Sequence, residues 1–219
     1  MIEPMESATA HARAPKQGRS RQSFDRIIEA TIDLLRERSY DQITLAEICQ
    51  RAGVSTGALY GRVTGKDELL RAVQVRFFER LDAAFTDEAQ RIGGQAHGLA
   101  QVVAAVVTSL GNLLKEHASV LRSFMLRGAV DEVIGAAGKK SAFANHAKFS
   151  RLLQACRAEI RHPDPDRAIE AGMLLIYATQ ARFLGLDSVG GKGEGAGWDD
   201  LLVDLSDMML AYLRFVPER

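Results

Sequence analysis

The stretch that decides the fold, residues 44–66, reads TLAEICQRAGVSTGALYGRVTGK. Thr44 and Glu47 have the spacing of a capping box, in which each side chain bonds the backbone amide of the other residue at a helix start. Gly53 favours the left-handed conformation that ends a helix, and Ser55 is a residue type that begins one. The stretch therefore predicts two short helices joined by a glycine turn.

Helical spacing extends over the rest of the chain. On the N-terminal side of this stretch, apolar residues from Phe24 to Leu35 recur every three or four positions and predict a helix at about 23–38. No segment alternates with a period of two, and prolines are missing from residues 16–162. We predict an all-α protein of about nine helices. The later ones are expected at about 98–116, 118–127, 131–160, 165–186 and 198–215.

The composition excludes several classes of protein. The 219 residues include 28 basic and 28 acidic side chains, so the chain has no bulk charge that would attract nucleic acid or an anionic membrane. The two cysteines, Cys49 and Cys156, lack the spacing of a zinc site, and we expect no metal and no cofactor. The apolar run Val102–Val107 is too short to cross a bilayer, so we expect a cytoplasmic protein without a membrane partner.

The chain divides into three expected parts. Residues 1–20 form a flexible basic arm, residues 21–66 a three-helix helix-turn-helix domain, and residues 67–219 a larger helical domain for effector binding and dimerisation. Residues 1–66 hold ten basic and eight acidic side chains, whereas the remainder holds eighteen and twenty. A small positive excess therefore lies on the N-terminal part.

A helix of about eight residues, a glycine turn and a second short helix form the helix-turn-helix arrangement, whose second helix enters the major groove of DNA. Hydroxyls and amides at the two helix starts are placed to bind phosphate, with a lysine at the next helix start. Exposed positions of the second helix are placed to meet base edges or phosphate. The candidate DNA-binding residues are Thr44, Ser55, Thr56, Gly57, Tyr60, Arg62 and Lys66. Arg62 is read either as a DNA contact or as a solvated charge.

These residues resemble the TetR family of bacterial transcriptional regulators. The resemblance rests on Ile43-Thr44, Ile48, the run 52–60 and the run 66–70. It departs from the family at residues 61–63, where Gly-Arg-Val replaces the usual aromatic or basic residue, histidine and phenylalanine. The resemblance implies that Tyr60 and Lys66 contact phosphate, and that the C-terminal part holds a ligand cavity and a dimer interface.

A single helix-turn-helix reads few base pairs, so a homodimer on two half-sites is expected. The last two helices carry a face of small residues and a complementary apolar face, which makes them candidates for the interface, and the resemblance implies a four-helix bundle built from both subunits. The candidate interface residues are Ala171, Leu175, Ala178, Arg182, Leu205, Met208, Met209 and Tyr212. The alternative is that these faces pack only within one subunit.

Bulky residues at helical spacing in the middle of the chain are candidates for a ligand cavity, although each is also typical of a packed core. They are Phe77, Leu81, Phe124, Phe143, His146 and Phe149. The expected function is that of a transcriptional repressor that binds double-stranded DNA and is released from a palindromic operator by an apolar small molecule. The alternative is a constitutive or protein-responsive DNA binder without a cavity. An enzyme is not expected, because the five histidines lack ligand spacing and no nucleophile motif occurs.

Overall fold

The computed structural model describes residues 16–186 and 197–216, and every regular element within these ranges is helical, which confirms the predicted all-α fold. The described part contains eight α-helices: α1 (Lys16–Glu37), α2 (Leu45–Ala52), α3 (Thr56–Tyr60), α4 (Lys66–Gln95), α5 (Gly98–Gly128), α6 (Glu132–Ala155), α7 (Pro165–Phe183) and α8 (Trp198–Leu213). Short 3₁₀ turns, Tyr40–Gln42 and Arg157–Glu159, follow α1 and α6.

Some predicted helix boundaries were wrong. The two helices expected at 98–116 and 118–127 are one helix, α5, because residues 116–119 include neither proline nor glycine and nothing interrupts the backbone hydrogen bonds. Helix α1 begins at Lys16, within the segment expected to be a flexible arm. The rest of that predicted arm, residues 1–15, lies outside the described residues.

Helices α1, α2 and α3 pack on one another around a shared apolar centre. The predicted apolar stripe of α1 is buried there, with Ile27 and Leu34 at most 1% exposed. Ile48 of α2 and Leu59 of α3 close the centre from the other side, and Leu59 is 0% exposed. Burial of these side chains holds together three helices of which two are too short to be stable alone.

Helix α5 forms the centre of the C-terminal part and contacts α4, α6, α7 and α8. By length and composition its 31 residues could cross a membrane, with a mean hydropathy of 1.3 over the most apolar window. More than half of that window, 56%, is buried inside the protein. Its apolar character is therefore explained by its position in the core.

Polar side chains join α4 to α6 at two levels. Near the start of α6, Asp131 caps the helix by accepting from the amides of Val133 and Ile134, and its other carboxylate oxygen accepts from Arg71 at 2.9 Å. Gln74, 2% exposed, donates to the carbonyl of Ile134 at 2.9 Å. The two helix starts are thereby held in one register.

The second level lies two turns further along both helices. The carboxylate of Asp82 accepts from Ser141 at 2.7 Å and from Asn145 at 2.6 Å. Lys148 donates to the backbone carbonyl of Asp82 and to the side-chain oxygen of Asn145. Because Ser141 and Asn145 are buried, loss of one partner would leave a polar group unsatisfied inside the protein.

Two glycines, Gly128 and Gly135, meet where α5 ends and α6 begins. A Cβ atom added to Gly135 would lie 2.7 Å from the carbonyl oxygen of Gly128. That neighbour is backbone, so it cannot rotate away as a side chain could. The absence of a side chain at residue 135 is therefore required by the turn between the two helices.

We predict that Gly135→Ala lowers the free energy of unfolding by about 1–3 kcal/mol, because the added methyl group overpacks a helix contact made of backbone atoms. Gly138→Ala is the matched control on the same helix, since its Cβ would meet only the ring edge of Phe78 at 4.0 Å. The control should stabilise the protein by up to about 1 kcal/mol through helix propensity. Urea unfolding measures both, and equal effects would contradict the backbone contact.

Candidate nucleic-acid interface

Helix α2 begins at the predicted capping box. The hydroxyl of Thr44 accepts from the amide of Glu47 at 3.2 Å, and the Glu47 carboxylate accepts from the Thr44 amide at 2.8 Å. The Thr44 hydroxyl also donates to this carboxylate at 2.8 Å. These bonds from Thr44, with a smaller effect of Arg38, lower the pKa of Glu47. A phosphate oxygen would therefore compete with Glu47 for the hydroxyl proton of Thr44.

The turn after α2 also follows the prediction. Gly53 has φ 63° and ψ 43°, the left-handed conformation, and the amide of Val54 donates back to the carbonyl of Cys49 at 3.0 Å. Cys49 is 4% exposed and packs in the core. Ser55 then caps α3 by accepting from the amide of Ala58 at 3.3 Å. These local bonds fix the direction in which α3 leaves α2.

Helix α3 presents a polar outer face. Thr56, Gly57 and Tyr60 are exposed, Tyr60 by 55%, whereas Leu59 is fully buried. A Cβ atom added to Gly57 would meet no heavy atom within 4 Å. The protein's own packing therefore gives no reason for glycine at residue 57, and the missing side chain leaves room for a second molecule to approach the backbone.

Arg62 lies beside α1 after the end of α3. Its guanidinium carbon is 5.8 Å from the centroid of the Phe24 ring, a stacking distance for a cation on an aromatic face. An open crevice of about 670 Å³ adjoins this pair between α1 and α4. Arg62 thus reaches toward the N-terminal half of α1, next to the outer face of α3.

Lys66, at the start of α4, is bound within the protein. Its ammonium group donates to the carbonyl oxygen of Tyr40 at 2.5 Å and lies 4.1 Å from the centroid of the Tyr40 ring. Burial lowers the pKa of Lys66, against the opposite effect of Asp41 and Asp67. An ammonium group has three N–H donors, so the bond to Tyr40 leaves two for another acceptor.

Four of the six predicted ligand residues, Phe77, Leu81, Phe124 and Phe149, belong to the buried core. Phe77 and Phe124 are buried with ring centroids 5.5 Å apart, and Leu81 is also buried. Phe149 is fully buried but pairs instead with Phe85, at 5.4 Å. In both places aromatic rings fill the space by contacting each other.

Phe143, a predicted ligand residue, is 76% exposed and does not lie in the core of the subunit. The inward face of α6 is set by Ser141, Asn145 and Phe149, spaced four residues apart. Phe143 is two residues from Asn145, about 200° around a helix, and so points outward. His146 is half-buried beside this inward face, and burial lowers the pKa of its ring.

The predicted dimer residues separate into two sets. Leu175, 64% exposed, and Met208, 68% exposed, point outward from α7 and α8. Leu205 and Met209 instead lie within the subunit, where a Cβ on Gly172 would be 2.1 Å from the sulfur of Met209. Of the other predicted positions, Ala178 and Arg182 are exposed, and Ala171 and Tyr212 are half-buried.

Sequence reasoning missed two exposed apolar residues beside this outward set. Leu174 is 63% exposed and Val203 is 59% exposed. Leu174 is four residues before Ala178, and Val203 is five before Met208. Helical spacing measured from the exposed members of the set, rather than from all bulky residues, would have found Leu174.

Comparison with known proteins agrees with this geometry. The sequence model described as "Bacterial regulatory proteins, tetR family" matches residues 27–73, which run from α1 into the start of α4. Residues 27–73 of this chain are therefore similar to the TetR family. A relative of this chain, the HTH-type transcriptional repressor KstR of Mycolicibacterium smegmatis, is 35% identical over 74 residues. That match spans 34% of this chain and only 36% of the repressor.

Solved structures of low sequence identity share the fold of this chain. GusR of Salmonella enterica has a TM-score of 0.63 with 20% identity, over 88% of this chain and 96% of that one. FadR of Bacillus subtilis, solved in complex with stearoyl-CoA, has a TM-score of 0.60 with 17% identity, over 87% of this chain and 97% of that one. The helical arrangement of the C-terminal part is therefore shared although its sequence is not.

We predict that Gly57→Ala leaves the thermal unfolding midpoint unchanged or slightly raised, because a Cβ at residue 57 meets nothing in the protein. The same change should weaken binding to a duplex selected with the wild-type protein by about tenfold or more, because the methyl group would separate α3 from the groove. Fluorescence anisotropy measures the affinity. Unchanged affinity would show that the α3 backbone does not approach DNA closely.

Proposed function

We propose that this chain is a cytoplasmic transcriptional repressor that binds a palindromic double-stranded DNA operator as a homodimer. The observation that carries the proposal is the outer face of α3, where Thr56, Gly57 and Tyr60 are exposed and Gly57 has no internal packing role. Residues 21–66 would form the DNA-binding domain, and residues 67–219 the domain for dimerisation and control.

The charge distribution suits binding that depends on geometry more than on bulk attraction. The chain is neutral overall, and the excess in residues 1–66 is only two positive charges. Bonds from the exposed ends of α2 and α3 and from Lys66 would position the duplex, and the face of α3 would read bases. Replacing Lys66 should weaken binding to all sequences and flatten the salt dependence by about one phosphate contact.

The dimer is supported by the apolar residues left exposed on the last two helices. Leu174, Leu175, Val203 and Met208 are each more than half exposed in the single subunit. Apolar side chains gathered on adjacent helices are typical of a surface that another chain covers. A two-fold arrangement of α7 and α8 with the same helices of a partner would bury them in a four-helix bundle.

Control by a small molecule is the first candidate for release from DNA. It is supported by the shared fold with FadR of Bacillus subtilis, whose structure contains stearoyl-CoA. If an effector releases the protein from DNA, it must weaken DNA binding by the same factor by which DNA weakens binding of the effector. The ring contacts of Phe77, Phe124 and Phe149 favour a second candidate, a repressor whose core is filled and which responds to another protein or to none.

Leu175→Glu should weaken the dimer by more than about 100-fold, because two carboxylates would be buried without partners at the two-fold interface. Sedimentation velocity should then detect monomers, and operator affinity should fall because the dimer is lost. Val133→Glu is the matched control, since Val133 is 56% exposed but lies on α6. Retention of the dimer by the Leu175 variant would reject α7 and α8 as the interface.

The two candidates for control differ in the cost of removing a ring from the core. With a filled core, Phe124→Ala should lower the free energy of unfolding by about 3–5 kcal/mol. If Phe124 instead lines an empty ligand cavity, the loss should stay below about 2 kcal/mol, because fewer contacts are broken. Phe143→Ala, on the exposed side of α6, should change the free energy of unfolding by less than about 0.5 kcal/mol in either case.

A further inference from the structure

A cluster of four side chains connects the DNA-binding helices to α5. Tyr40, in the turn between α1 and α2, donates its hydroxyl to Asp67 of α4 at 2.9 Å. Arg127, in the last turn of α5, donates to the other carboxylate oxygen of Asp67 at 2.7 Å. Lys66 occupies the face of the same tyrosine ring. One carboxylate therefore joins three parts of the chain that lie 27 and 60 residues apart in sequence.

The tyrosine is held firmly in this cluster. Tyr40 is 9% exposed, and the guanidinium carbon of Arg127 lies 6.0 Å from its ring centroid, in addition to the ammonium group of Lys66 at 4.1 Å. Burial, and then the bond to Asp67, raise the pKa of Tyr40, so the hydroxyl keeps its proton at neutral pH. The hydroxyl is consequently a permanent donor to Asp67.

The cluster contributes orientation more than stability. The Asp67 side chain is 54% exposed and Arg127 is 31% exposed, so solvent screens their attraction. The Nε atom of Arg127 is buried without a hydrogen-bond partner within the described residues, which is unfavourable. An arginine that stabilised the fold only by its charge would not need this placement. The directed bond from Arg127 to Asp67 instead fixes the angle between the DNA-binding helices and α4.

Other bonds between the DNA-binding helices and α4 leave that angle adjustable. Arg76 pairs with Asp25 at 2.9 Å, and Arg80 pairs with Glu29. Both pairs run along the outer side of α1, with side chains between 37% and 52% exposed. Exposed ion pairs of long side chains follow small movements without a large change in energy.

We propose that Tyr40, Asp67 and Arg127 form a latch that fixes each DNA-binding domain against α4 and α5 and thereby sets the half-site spacing that the dimer accepts. This inference rests on the proposed operator-binding function. A rotation of α1–α3 about the start of α4 would move α3 relative to its copy in the partner subunit. The latch bonds oppose that rotation. Because Arg127 belongs to α5, they also couple the rotation to the position of α5, through which control of DNA binding would act. Tyr40, Asp67 and Arg127 are positioning residues that need not touch DNA.

The test uses a duplex selected from a random double-stranded library with the full-length wild-type protein, and derivatives with one base pair added or removed between half-sites. One base pair changes the spacing by about 3.4 Å and the facing by about 35°. The wild-type dimer should bind the altered duplexes much more weakly than the selected one. Tyr40→Phe keeps the ring and removes the bond to Asp67, and it should reduce that spacing penalty by about tenfold.

Arg127→Met should reduce the spacing penalty to a similar extent, and the double variant should show no further reduction, because both changes open the same latch. The thermal midpoint and the salt slope should stay near wild-type values, which separates positioning from folding and from phosphate contact. Matched controls are Tyr177→Phe on α7 and Arg122→Met on α5, which should keep the wild-type penalty.

Equal spacing penalties in wild type and in both latch variants would overturn the latch and leave the proposed function standing. Additive effects of Tyr40→Phe and Arg127→Met would also overturn it, because independent contributions mean that no shared latch exists. If the wild-type protein enriches no duplex from the library, the operator-binding function itself fails, and the latch fails with it.

Discussion

The burial of Leu59 is the constraint on which the interface depends. Helix α3 has only five residues, too few to be stable alone, and the core contact of Leu59 together with the Ser55 cap holds it in place. Gly57 and Tyr60 lie on other sides of the helix from Leu59 and therefore point outward, and Thr56 is exposed in the first turn. The same contact that makes the short helix possible thus determines which side chains it presents.

The larger part of the molecule governs where that short helix stands. Helix α4 begins beside Tyr40 and is joined to α6 by Asp131 and Asp82, so α4 and α6 are bound to move together. Helix α5 reaches the same region through Arg127. Helix α5 also packs directly on α1, so the larger part of the molecule meets the three-helix domain through both α4 and α5.

The sequence allowed accurate prediction where the signals are local. The capping box of Thr44, the left-handed Gly53 and the inward Leu59 all follow from the single stretch 44–59. The exposure of Phe143 and the burial of Leu205 and Met209 had no local signal, because they depend on which face of a helix meets its neighbours, and buried polar residues such as Asn145 hide that face. The bond from Lys66 to Tyr40 spans 26 residues and had no local signal.

In the proposed complex, two copies of α3 read one operator from the same side of the duplex. Hydroxyl-radical footprinting of the full-length protein on its selected duplex tests this arrangement. Two protected patches related by two-fold symmetry are expected, with centres about 34 Å apart on one face of the DNA. A single protected patch, or protection that does not depend on sequence, would contradict it.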